Sequence, residues 1–160
     1  MKTLSELKTY AFGLEQGLFQ TEELERFLDS VITTEANPPY VFIDAWLHIS
    51  EPKEALTACI NGHLCDMGYH ASIAHWDEAK DMKKMLLRQI GARYRDGSFD
   101  LRRTTHELYR LAVLFEDYAS DYFTFDDDWS WVEAGTEAEA VIKRRVDIFF
   151  DTLAYAHGER

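Results

Sequence analysis

From Leu4 to Leu153, apolar residues return every three or four positions, the spacing that lines one face of an α-helix. Leu4, Leu7, Ala11, Leu14 and Leu18 make the first stripe, and Gly13 and Gly17 weaken its end. Thr21 is placed to cap a second helix with the face Leu24, Phe27, Leu28, Val31 and Ile32. The loop TTEANPP stops that helix. Pro39 then suits the start of a short, strongly apolar element over Tyr40–Ile49. Ser50, Glu51 and Pro52 introduce a fourth helix through Leu56, Cys59, Ile60 and Leu64.

Gly68 breaks the chain ahead of a long helix from about His70 to Arg95, with Ile73, Trp76, Ala79, Met82, Leu86 and Ile90 inward. RDGSFD is a turn. Thr104 and Glu107 match a capping box for a sixth helix, with Asp100 as an earlier cap. Its face is Leu108, Leu111, Ala112, Phe115 and Tyr118. Residues 123–135 read as irregular, and Tyr122–Phe125 as a short extended stretch. Thr136 and Glu139 form a second capping box before a last helix carrying Val141, Ile142, Val146, Phe149 and Leu153. The spacing predicts an all-α, single-domain bundle of six to seven helices spanning residues 1–160. A chain of this length can bury a respectable core.

Charge narrows the class of partner. The formal net charge is −12. That disfavours direct nucleic-acid binding, which depends on Lys and Arg neutralising phosphates, and it disfavours an anionic membrane surface. No run reaches the roughly 18 apolar residues of a membrane span. The start MKTLSELKTY has no apolar signal-like region, and Cys59 and Cys65 are poorly spaced for a disulfide. The expectation is a reduced, cytoplasmic protein.

The charge is also uneven. Residues 80–110 carry nine bases against four acids. Leu111 to Ile142 holds nine acids and no Lys or Arg, interleaved with seven aromatics. The two blocks are either internally complementary or two faces of opposite sign. A solvated tail would lack the aromatics, and a core would lack the charge. The mixture suits a surface that engages a basic protein, with charge for steering and aromatics as anchors. The candidate partner-binding residues are Asp121, Phe125, Asp126, Asp127, Asp128, Trp129, Trp131 and Glu133. The plainer reading is a capping loop whose acids are merely solvated.

Signals for chemistry are sparse. Cys59, His63, Cys65, His70 and His75 are the best ligand-type residues, and Cys59 and His63 share a helical face. No pair has C-x-x-C or H-E-x-x-H spacing, so no metal, cofactor or catalytic residue is expected. Asp44, between Ile43 and Trp46 in an apolar helix, has to find a partner, with a cap or an Arg the simplest.

The tracts RRTTHELYRLAVLFEDY and FTFDDDWSWVEAGTEAEAV give the chain the style of a known group. It resembles the small, acidic, all-helical immunity proteins of bacterial polymorphic and contact-dependent toxin systems. The resemblance implies a stoichiometric inhibitor that binds one toxin and blocks its active site or substrate groove. A nuclease toxin, with its basic groove, would suit the charge. Two other readings stand beside it: an adaptor in a larger assembly, and a metal-dependent helical enzyme using residues 59–75.

Overall fold

A computed structural model describes residues 2–69, 79–135 and 138–156. Among the described residues there are eight α-helices, one 3-10 turn and no strand. The helices are α1 (Lys2–Glu15), α2 (Thr21–Thr34), α3 (Tyr40–Leu47), α4 (Lys53–Asp66), α5 (Ala79–Arg95), α6 (Leu101–Leu114), α7 (Asp128–Glu133) and α8 (Glu139–Ala156), and the 3-10 turn covers Asp121–Phe123. The all-α expectation holds, with one helix more than expected. No described helix is long and apolar enough to cross a membrane. The chain divides into two compact units, Met1–Leu86 and Leu87–Arg160.

In the first unit α1 packs on α4 and α2, while α3 packs on both α2 and α4. The stripe Leu4, Leu7, Ala11, Leu14 and Leu18 is buried, as are Leu24, Leu28 and Val31 of α2, Phe42 of α3, and Leu56, Ile60 and Leu64 of α4. Helix α1 ends because Gly17 takes a φ of 68°, which lets the Leu18 N–H reach back to the Gly13 carbonyl at 2.7 Å. Gly13 has a second role. A Cβ there would lie 1.9 Å from the Phe19 ring, so only glycine lets that buried ring fold over α1. Thr21 is the first residue of α2, and the N-cap is Gln20, whose N–H donates to Glu23 Oε2 at 2.8 Å.

In the second unit the core joins Ile90 of α5 and Phe99 to Leu108, Leu111 and Ala112 of α6, and to Ile142, Val146 and Phe150 of α8. Asp100 caps α6, its side chain accepting from the Arg103 N–H at 2.7 Å. Thr104, offered by the sequence as the cap, is instead buried one turn inside the helix. The stretch expected to be irregular contains α7, and the 3-10 turn occupies the first half of the expected extended stretch. The first third of the expected long helix, residues 70–78, and the Thr136 cap lie outside the described residues.

Candidate functional site

The acidic-aromatic tract separates into a buried and an exposed set. Phe125 is 2% and Trp129 8% exposed, so both belong to the core of the second unit and neither is available as an anchor. Trp129 donates its indole N–H to Thr105 Oγ1 at 2.8 Å. The Arg102 guanidinium lies 5.2 Å from the Trp129 ring and that of Arg145 5.1 Å from the Phe125 ring, within cation–π range.

Several acids are spoken for in the same way. Asp128 pairs with Arg145. Glu133 pairs with Arg102 at 2.7 Å. Asp126 faces His106 at 3.4 Å. The tract therefore staples α6 to α8 through paired charge, and the aspartate triplet is not a uniform free surface. Internal complementarity, one of the two readings of the charge blocks, accounts for these three acids.

What remains outward is narrower than the sequence implied. Asp121 and Asp127 are exposed, and neither has an ion pair among the described residues. Trp131 is 58% exposed and Tyr118 55%. Tyr118 packs edge-on against Phe123, which stacks on Tyr109 of α6, with centroids 5.4 Å apart in both pairs. Asp121 also stands at the rim of a shallow groove completed by Ile148, Phe149 and Thr152 of α8.

A second constellation lies in the first unit. Among the described residues Asp44 of α3 meets no arginine. His63 Nε2 lies 2.7 Å from Asp44 Oδ2, and the Cys59 thiol donates to the same oxygen at 3.2 Å. The Tyr40 hydroxyl donates to Oδ1 at 3.2 Å. His48 Nδ1 lies 2.8 Å from the Asp44 main-chain oxygen. These contacts, the His63 hydrogen bond foremost and that of Cys59 next, hold the Asp44 carboxyl below its ordinary value. Burial, followed by the hydrogen bond to Asp44, pushes the Cys59 thiol up to about 11. Such a thiol is protonated at neutral pH and is no nucleophile. The connectivity agrees: a Cys–His nucleophile needs the imidazole on the sulfur, whereas here both donors converge on the carboxylate.

The spacing of Cys59 and His63 places them on one face of α4, and Asp44 stands out in the sequence as a carboxylate in need of a partner. The sequence does not join the two, because the α3–α4 packing that unites them is a tertiary contact. Cys65, the other cysteine, is exposed, and neither cysteine forms a disulfide. His70 and His75 lie outside the described residues.

Comparison of the chain with known protein families, curated proteins and solved structures returns no match.

Proposed function

We propose that this chain is a stoichiometric protein inhibitor of the immunity-protein kind, which binds a basic partner protein through the outward part of its acidic-aromatic tract. The observation that carries the reading is Trp131. A tryptophan 58% exposed on a short helix, two residues beyond a buried tryptophan and in a stretch whose Asp121 and Asp127 have no ion pair among the described residues, has the makeup of a binding hot spot ringed by steering charge. Phe125, Trp129 and Asp128 serve that surface from beneath by fixing α7. The contact residues are Asp121, Asp127 and Trp131, with Tyr118 added and Glu133 at the edge.

The test is titration of the purified chain against any toxin domain that proves to be encoded beside its gene. The reading requires a one-to-one complex and loss of the toxin's activity on mixing. Absence of binding by such a domain counts against it.

A second reading, an adaptor in a larger assembly, draws on α3. Tyr40, Ile43 and Leu47, at helical spacing, are all exposed on that helix, with Trp46 beside them. Such an exposed apolar face is the kind that a partner protein covers.

A further inference from the structure

We propose that Asp44, Cys59 and His63 form a binding site for one divalent cation of the zinc type. Three donors that zinc favours, a carboxylate oxygen, a cysteine sulfur that sheds its proton to the solvent as the metal binds, and an imidazole nitrogen, converge from two packed helices. All three ligand atoms lie within 4.8 Å of one another. Zinc–ligand bonds of about 2.0–2.3 Å in tetrahedral geometry give donor–donor edges of roughly 3.3–3.6 Å. The Asp44–His63 and Asp44–Cys59 separations, 2.7 and 3.2 Å, need to open by roughly half an ångström, and the Cys59–His63 separation, within 4.8 Å, needs to settle at the same tetrahedral edge. Side-chain rotation supplies that, because Cys59 and His63 stand one turn apart and already project to the same side of α4.

The donor set also chooses the metal. Thiolate with imidazole selects zinc over the oxygen-seeking magnesium and calcium. Three protein ligands leave a fourth position for water or an incoming group, the pattern of open rather than sealed zinc sites. The cluster is only half buried, so an ion can reach it. Tyr40, bonded to the other oxygen of Asp44, orients the carboxylate as outer-shell partners of metal ligands do.

The experiment uses the full, reduced, chelator-treated chain and cobalt(II) as a spectroscopic probe, with zinc(II) as competitor. One equivalent of cobalt should give a sulfur-to-cobalt charge-transfer band and the intense visible bands of a tetrahedral centre, both erased by one equivalent of zinc. Cys59→Ser should abolish the charge-transfer band. Asp44→Asn and His63→Asn should each weaken binding by more than the roughly 10-fold expected for Tyr40→Phe. Cys65→Ser should leave the titration unchanged. Circular dichroism verifies the helices of each variant, and the wild-type titration decides even where a variant does not fold. A wild-type chain without the charge-transfer band at one equivalent, or a band that survives Cys59→Ser, overturns the proposal. Neither result bears on the partner surface at α7.

Discussion

Trp129 and Thr105 are joined by a single buried hydrogen bond of 2.8 Å, and that bond ties the short helix α7 to α6. It makes Trp129 part of the scaffold. Trp129→Ala should cost roughly 3–5 kcal/mol of stability. Thr105→Val, which keeps the shape and strands the indole N–H, should cost roughly 1–3 kcal/mol. Urea denaturation measures both. A Trp129→Ala chain as stable as wild type would mean that α7 does not depend on its core contact.

The acids of the tract should behave differently one by one. Asp128 pairs with Arg145 while its neighbour Asp127 pairs with no described residue. Asp128→Asn should lower stability and show a coupling of about 1 kcal/mol with Arg145→Met in a double-mutant cycle. Asp127→Asn should leave stability within about 0.5 kcal/mol of wild type. Equal effects of the two substitutions would erase the distinction between stapling and free carboxylates.

Three glycines should respond in opposite senses to one added methyl group. At Gly13 and Gly91 a Cβ would come within 1.9 Å of Phe19 and 2.9 Å of Phe150. Gly13→Ala should be the more damaging and Gly91→Ala should cost about 1–3 kcal/mol, since both displace a packed ring. At Gly62, exposed inside α4, nothing lies within 4 Å of the new atom. Gly62→Ala should therefore stabilise by about 0.5–1 kcal/mol through helix propensity. Thermal melts of the three variants decide the order.

Acid should expose two carboxylates of opposite sign. Asp147 is held below its ordinary value of 3.8, first by the hydrogen bond from Lys143 and then by that from Tyr94. A depressed carboxylate contributes stability above its unfolded pKa and loses it as pH falls through the folded one. Asp147→Asn should make the decline in melting temperature below about pH 4 shallower than in wild type. Glu107 is raised from its ordinary value of 4.5 by burial, with Arg110 at 3.9 Å only partly offsetting that. A raised carboxylate destabilises above its folded pKa, so stability is gained as pH falls toward the unfolded value. Glu107→Gln should therefore raise the melting temperature at neutral pH. A lower one would show that the ionised carboxylate is favourably held.

Local periodicity carried most of the fold and little of the site. Leu4 to Leu18 and Leu24 to Val31 announced their buried faces because a 3.6-residue period leaves one stripe for the core. The choice between Trp129 and Trp131 was not legible in that way. Two residues on a helix differ by about 200°, so α7 sends them to opposite sides, but an irregular loop has no such rule. Once residues 123–135 read as loop, nothing separated the buried indole from the exposed one. Asp100 prevailed over Thr104 as the α6 cap because a turn of helix fits between them, and the earlier residue gains that turn's hydrogen bonds. The Asp44 cluster was half legible. The Cys59–His63 spacing is local, whereas Asp44 reaches His63 only through the packing of α3 on α4.

The exposed tract makes its claim most directly in association kinetics. With the partner immobilised, Asp121→Asn combined with Asp127→Asn should slow association and flatten its dependence on salt, because unpaired surface charge acts by steering. Trp131→Ala should instead speed dissociation, losing roughly 2–4 kcal/mol of binding. An association rate at low salt that ignores both aspartates, together with a dissociation rate that ignores Trp131, would contradict the account and place the interface elsewhere.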